Sequence, residues 1–226
     1  MRLTAAGVIY KLGAIGFASR MSENKIQIVR SLLKRSVDLL YENDSCLITN
    51  SVHEQSISHR IAHYLENLLI KYDWFVKDGY SVDVEYNRNC NEVKKVCGNC
   101  DDFSKQYKCK LKKSLSNDRN CRPDIIVHKR GRDNISQDDF NNLIVIEIKK
   151  GKDKDNFDFS KLAAFTCECN IYKYHLGIYI NITNPKLKYP FKYFQNGKEV
   201  NKNDIDWKEF TIDDIASVKC GKWIVK

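Results

Sequence analysis

The stretches RPDIIV at residues 122–127 and LIVIEIK at residues 143–149 decide the fold of this chain. Each contains a short apolar run, at 125–127 and at 143–146, of the kind that forms a buried strand. The polar residues 129–142 between them include a glycine and allow the chain to reverse direction. The two strands are therefore predicted to pair as an antiparallel hairpin.

Three charged side chains are expected to meet at one end of that hairpin. Asp124 opens the first strand, and Glu147 and Lys149 close the second on one shared face, because residues two apart in a strand point the same way. Two carboxylates and an ammonium at the end of a buried sheet suit metal-assisted phosphodiester hydrolysis. The alternative is a structural Glu147–Lys149 ion pair, with Asp124 only following a turn proline. A buried carboxylate pair without a metal would repel, which favours the catalytic interpretation.

The pattern along the chain predicts an α/β fold. Apolar periodicity and alternation indicate, in order, helices over 22–42 and from near 51, strands over 80–86, 122–127 and 143–149, a helix over 157–169 and a strand over 174–182. The last helix is expected to cross over between parallel strands. The core order is αβββαβ, with a mixed central sheet flanked by helices. Residues 1–50 are predicted to form an N-terminal extension and helix before a domain at 51–226, which contains a Cys-rich insertion at 87–121.

With this order over residues 51–182, Pro123-Asp124 and Glu147-Ile148-Lys149 resemble the motif of the PD-(D/E)xK nucleases, the restriction-endonuclease-like superfamily. The resemblance implies a Mg²⁺- or Mn²⁺-dependent nuclease that acts on DNA, although nothing in the residues excludes RNA. It implies Asp124 and Glu147 as metal ligands, with the backbone carbonyl of Ile148 completing them. It implies that Lys149 orients or activates the attacking water.

Glu54 is the next candidate for the site. Many members of the superfamily carry a Glu on the first core helix, aimed at the metal directly or through water, and Glu54 fits that placement. An acid at a helix N-terminus also serves the helix dipole or a cap. The sequence leaves these two roles of Glu54 open.

The charge of the chain suits a polyanionic partner. The formal net charge is +9 with a pI near 9.0, although such an excess also serves solubility alone. Basic residues bunch at 108–113, 129–132 and 149–154, all flanking the proposed site in sequence. The residues predicted to contact nucleic acid are Lys129, Arg130, Arg132, Lys150 and Lys161; for the last, a solvated helix face is the alternative.

The nine cysteines indicate a reduced compartment and a metal more than a disulfide framework. Cys97 and Cys100 have the C-x-x-C spacing of a zinc knuckle, and Cys109 and Cys121 are available to complete a structural zinc site. A flexible insertion with free thiols is the alternative.

No stretch reaches the roughly 18 apolar residues of a membrane span, so a cytoplasmic protein without a membrane partner is expected.

Two other functions stay open from the sequence. One is a nuclease-fold protein that binds nucleic acid without cutting it, and the other is a zinc-stabilised interaction module. The intact set of Asp124, Glu147 and Lys149 argues against the first.

The fold commonly acts as a dimer where both strands of a duplex are cut, so a homodimer is a further prediction. A content of 42% hydrophobic residues excludes a disordered chain.

Overall fold

The computed structural model describes residues 5–50, 52–89, 92–94, 121–130, 140–151, 156–168, 172–182 and 191–201. The helices are α1 (Ala5–Asn43), α2 (Ser45–Thr49), α3 (Glu54–Leu69), α4 (Asp73–Lys77) and α5 (Asn156–Thr166). The strands are β1 (Tyr80–Val84), β2 (Arg88–Asn89), β3 (Glu92–Val93), β4 (Ile125–Lys129), β5 (Asn142–Lys150), β6 (Leu176–Ile182), β7 (Phe191–Gln195) and β8 (Lys198–Val200). Within this part of the chain, no helix combines the length and apolar content needed to cross a membrane.

Six of these strands form one open, mostly antiparallel sheet in the order β1-β4-β5-β6-β7-β8. The predicted antiparallel hairpin is confirmed, because β4 and β5 pair with Ile125 opposite Ile146. The predicted parallel pairing across the helix is also confirmed, since β5 and β6 run parallel on either side of α5 in sequence. The chain therefore has a mixed α/β architecture with helices flanking the sheet.

The two faces of the sheet pack against different helices. Residues 144, 146 and 148 of β5 join the larger core with α1 and α3. Val145 lies on the other face with α5, in a second core rich in aromatic side chains. Because side chains alternate along a strand, Glu147 follows Val145 toward α5. This alternation decides which helix supplies the partner of Glu147.

Helix α3 begins at Glu54, three residues later than the predicted start near Ser51. Ile57, Ile61, Leu65 and Leu69 recur every four residues and are fully buried, which gives the amphipathic stripe that binds the helix to the core. Its N-cap residue, His53, makes no capping hydrogen bond through its side chain. The carboxylate of Glu54 is instead bound to the end of β5.

Helix α1 is longer than the predicted 22–42. Its second half packs against α3, and Val29, Leu33, Val37 and Leu40 are fully buried in the core that α3 also enters. The helix thus contributes to the same core as the proposed nuclease-like domain. The boundary at residue 50 stays a prediction.

Gly177 of β6 allows α5 to lie close to the sheet. A Cβ atom at this position would be 3.1 Å from Cβ of Phe194, 3.2 Å from Cγ2 of Thr166 and 3.3 Å from Cβ of Leu162. These distances are shorter than ordinary van der Waals contacts, so a side chain here would push the helix outward. The close approach brings Lys161 of α5 within reach of β5.

Candidate active site

Asp124 and Glu147 meet at one end of the β4–β5 hairpin. Asp124 directly precedes β4, and the pairing of Ile125 with Ile146 places it beside Glu147 when the register is continued. One oxygen of Asp124, Oδ2, accepts a hydrogen bond of 2.6 Å from the backbone N–H of Ile148. The structure therefore brings together the two carboxylates that were predicted to bind a metal.

Glu147 is the most deeply buried acidic side chain of the described residues, at 1% exposure. Its Oε2 accepts a hydrogen bond of 2.7 Å from Nζ of Lys161. Its Oε1 is buried and has no hydrogen-bond partner within the described part of the chain. Since buried polar atoms are nearly always hydrogen-bonded or ligated, this oxygen is a candidate ligand for a cation.

Lys161 and Asp158 complete this buried cluster from α5. Nζ of Lys161 lies 2.9 Å from Oδ1 of Asp158 as well as 2.7 Å from Glu147, and the lysine side chain is 11% exposed. The contact of Lys161 with a phosphate stays a prediction, but its ammonium is bound inside the protein. Asp158 was not among the predicted site residues, although its spacing from Lys161 on a helix was visible in the sequence.

Burial shifts the ionisation of the cluster. It raises the pKa of Asp124 to about 6, against the opposing effects of the Ile148 N–H and of Lys161. It raises the pKa of Glu147 well above its usual value, and the charge of Asp124 adds to this shift while Lys161 opposes it. Burial also disfavours the charged form of Lys161, but Glu147 and Asp158 outweigh it and raise the pKa of that ammonium. Each carboxyl therefore holds its proton more tightly than an exposed acid does, and a cation bound beside it would favour the charged form.

Glu54 reaches the same end of β5 from α3. Its Oε1 accepts a 2.8 Å hydrogen bond from the backbone N–H of Lys150, and its Oε2 lies 3.6 Å from Nζ of Lys149. The charge of Glu54 also acts on Asp124. All four predicted catalytic residues therefore lie at one end of the hairpin, with Glu54 beside Lys149 and Lys161 beside Glu147.

The residues at this end fit a sparsely ligated Mg²⁺ or Mn²⁺ ion. In a strand the N–H and C=O of one residue point to the same neighbouring strand, so the carbonyl of Ile148 faces the side on which its N–H binds Asp124. Mg²⁺ usually keeps several waters and needs only one or two carboxylates. Among the described residues, no group of three or more His, Cys, Asp or Glu side chains has the arrangement of a metal site. Asp124, Oε1 of Glu147 and the Ile148 carbonyl would hold such an ion together with water.

An open depression of about 400 Å³ adjoins this end of the sheet and is lined by Gln55, Ser56, His59, Val84 and Glu85. Two of its lining residues adjoin residues of the site. Gln55 follows Glu54 on α3, and the backbone N–H of Glu85 donates a 3.1 Å hydrogen bond to the carbonyl of Asp124. Neither Asp124 nor Glu147 lines the depression itself.

The residues predicted to bind nucleic acid have varied surroundings. Nζ of Lys129 lies 4.9 Å from the ring centre of Tyr80. Arg130 forms a two-pronged ion pair with Asp83, and Nζ of Lys150 donates to backbone carbonyls of residues 47 and 50. Arg132 lies outside the described residues. Contact of these side chains with nucleic acid stays a prediction, and the Arg130 and Lys150 contacts show that both also stabilise the fold.

The predicted zinc site falls mostly outside the described residues, which include neither Cys97 nor Cys100 nor Cys109. Cys121 is described; it is buried in the aromatic core beside α5. Zinc binding therefore stays a prediction. Cys167, just after α5, is disulfide-bonded, which differs from the expectation of reduced thiols.

A buried lysine that the sequence analysis missed closes the base of the Cys-rich insertion. Nζ of Lys94 donates a 2.8 Å hydrogen bond to the hydroxyl of Tyr174. The backbone of Lys94 bonds to Asn87 and to Cys121, the residues at the two ends of the insertion. No motif or periodic pattern around Lys94 in the sequence indicated this role.

Comparison of the chain with family models, with curated proteins and with solved structures finds no match in any of the three. The resemblance to the PD-(D/E)xK nucleases therefore rests on the residues and the geometry described above.

Proposed function

We propose that this protein is a metal-dependent nuclease with a restriction-endonuclease-like core, acting on DNA. The single observation that carries the proposal is the fully buried Glu147, whose Oε1 has no hydrogen-bond partner among the described residues, beside a second, partly buried carboxylate, Asp124. Keeping two acids in this environment without a cation costs stability. A divalent cation bound between the two acids would offset this cost, so a metal site explains why both acids are present.

The order of elements supports the same proposal. Helix α3 is followed by β1, β4 and β5, then by α5 and β6, with small strands inserted between β1 and β4. This is the αβββαβ order expected of the superfamily, and the antiparallel hairpin followed by a parallel crossover agrees with it. The acidic pair lies where that order places the motif, at the end of the hairpin.

Each residue of the site has a distinct role in the proposed reaction. Asp124 and Glu147 hold the ion, with the Ile148 carbonyl as a third protein ligand. The bound ion supplies charge neutralisation at the phosphate and a more acidic water. In this proposal the ammonium of Lys149, whose side chain is 26% exposed, orients that water and stabilises charge that develops on the phosphate. Glu54 keeps the end of β5 and Lys149 in place through its two oxygens.

The substrate and assembly follow from charge and from the proposed chemistry. A net charge of +9 favours binding to a polyanion. DNA is proposed over RNA on the resemblance alone. Homodimerisation and a cytoplasmic location are parts of the same proposal.

The proposal is tested by cleavage of plasmid, linear and single-stranded DNA and of RNA, with Mg²⁺ or Mn²⁺ and with chelator. We expect metal-dependent cutting by the wild type and a loss of about 10²-fold or more in Lys149→Met, which keeps the side-chain length but removes the charge. Lys77→Met is the matched control, because Lys77 pairs with Asp73 on the exposed surface of α4. Absence of cutting on every substrate by folded wild-type protein would refute the proposal.

Metal binding is expected to weaken as the pH falls through about 6. A protonated carboxyl is not a metal ligand, and burial raises the pKa of Asp124 to about 6 and that of Glu147 as well. The affinity for Mn²⁺ measured by titration calorimetry should therefore fall by about tenfold or more between pH 7.5 and pH 5.0. Proton release on binding should appear as a dependence of the heat on the buffer. Equal affinities at the two pH values would show that these carboxyls are not the ligands.

A further inference from the structure

We propose that the ammonium of Lys161 occupies the place of a second metal ion, so that the site binds one divalent cation per chain. This inference rests on the proposed function, because it concerns the same carboxylates. It goes beyond that function by stating how many ions the site takes and which side chain sets the number.

The two oxygens of Glu147 have different surroundings. Oε2 accepts a hydrogen bond from Lys161 at 2.7 Å, whereas Oε1 is buried and has no hydrogen-bond partner among the residues that the structure describes. The ammonium also lies 2.9 Å from Asp158. Lys161 therefore bridges two carboxylates on the side of Glu147 that faces α5, as a second metal ion would. The other oxygen is left for the metal that Asp124 shares.

The charges of the cluster agree with a single divalent ion. Asp124, Glu147 and Asp158 bring three carboxylates to the cluster, and all three are electrostatically coupled. Lys161 brings one ammonium, and the neighbouring Glu54 and Lys149 offset each other. With all three carboxyls ionised around a bound cation, two negative charges remain, which is the charge that one Mg²⁺ or Mn²⁺ balances. Because buried charges are tolerated only when they are compensated, a second divalent ion is disfavoured while Lys161 is present.

Two-metal nuclease sites hold their ions about 3.5–4 Å apart. Here Glu147 would contact one ion through Oε1, while the ammonium on Oε2 takes the position of the other. Removing the ammonium would leave Glu147 and Asp158 facing an open position that suits a cation. Removing the Asp158 charge as well would take away a ligand of that position and restore the original charge balance.

The test is the number of Mn²⁺ ions bound per chain, measured by titration calorimetry and by electron paramagnetic resonance of free Mn²⁺. We expect one ion in the wild type, two in Lys161→Ala, and one again in the double variant Lys161→Ala/Asp158→Asn. Lys25→Ala is the matched control, because Lys25 forms a partly buried ion pair of 2.6 Å with Asp78 away from the site. It should bind one ion.

Thermal unfolding provides a second measurement that does not depend on activity. In chelator, Lys161→Ala should melt well below the wild type, and Mn²⁺ should restore it, because the ion replaces the lost charge. Two ions in the wild type, one ion in Lys161→Ala, or failure of this variant to fold even with Mn²⁺ would each overturn the inference while leaving the metal site intact. Absence of any bound ion in the wild type would overturn both the inference and the proposed function.

Discussion

Replacement of Asp124 by asparagine is expected to reduce cleavage by about 10²–10³-fold or more and, at the same time, to stabilise the metal-free protein. The loss of activity follows from the loss of a charged metal ligand. The gain in stability follows from burial, because an amide carries no charge to desolvate and its oxygen can still accept the N–H of Ile148. A variant that loses function and gains stability is characteristic of a site held under electrostatic strain.

The sign of the pH dependence supports this expectation. The pKa of Asp124 is about 6 in the folded protein, compared with an ordinary value of 3.8. The folded state therefore binds this proton more tightly than the unfolded state, and the free energy of unfolding falls as the pH rises from about 4 to 6. Above pH 6 the ionised Asp124 costs about 1–3 kcal/mol, which Asp124→Asn should recover.

Urea denaturation in chelator at pH 5 and pH 8, together with the cleavage assay, measures both effects. Asp73→Asn is the control for stability. Because Asp73 is exposed on α4, this substitution should leave the free energy of unfolding nearly unchanged. A clear loss of stability in Asp124→Asn at pH 8 would indicate that Asp124 is a structural hydrogen-bond acceptor. The candidate site would then lose its main support.

The second large effect concerns Lys94, which is expected to make the protein more stable as the pH rises from about 7 to 9.5. Burial lowers the pKa of Lys94 from 10.5 to about 7. Across this range the unfolded chain carries a proton that the folded Lys94 has lost, so the free energy of unfolding increases with pH. The rise should be about 2 kcal/mol. The pKa of about 7 already includes the effect of Asp83, which favours the ammonium. Contact with the rings of three tyrosines at 5.3–5.8 Å favours the ammonium further and keeps the rise below the ~3 kcal/mol that this pKa alone would give.

The variant Lys94→Met should abolish this increase of the unfolding free energy with pH, because methionine fills similar space without a titrating group. Urea denaturation at intervals between pH 7 and 9.5 measures the unfolding free energy, and Lys77→Met is a control that should keep the wild-type pH dependence. The upper limit avoids the ionisation of tyrosines: burial raises the pKa of Tyr174, so stability should fall again above pH 10. An unchanged slope in Lys94→Met would show that another group is responsible.

Local patterns predicted most of the elements that build the site. The apolar runs at 122–127 and 143–149 were sufficient for the hairpin, because a short apolar run flanked by polar residues has few other ways to bury itself. An antiparallel hairpin then brings the start of one strand to the end of the other. The meeting of Asp124 with Glu147 follows from that geometry alone.

The partners of these residues could not be predicted in the same way. Lys161 was assigned to a nucleic-acid surface or a solvated helix face, and Asp158 was not assigned to the site. Their positions depend on how α5 rotates and how closely it approaches β6, which the missing side chain of Gly177 permits. Helix periodicity places both residues on one face but does not say what that face meets.

The amino-acid sequence by itself determined the α/β class, the hairpin and the convergence of an acidic pair with a lysine at its end. These features follow from side-chain alternation and chain reversal, which act over a few residues. Only the tertiary structure decided that Glu147 binds Lys161, that Glu54 binds the end of β5 and that Lys94 is buried at the base of the insertion. Those contacts join residues that are 14, 96 and 80 positions apart. They depend on how the helices pack and on the burial of charged groups from distant parts of the chain beside one another, which no local sequence pattern predicts.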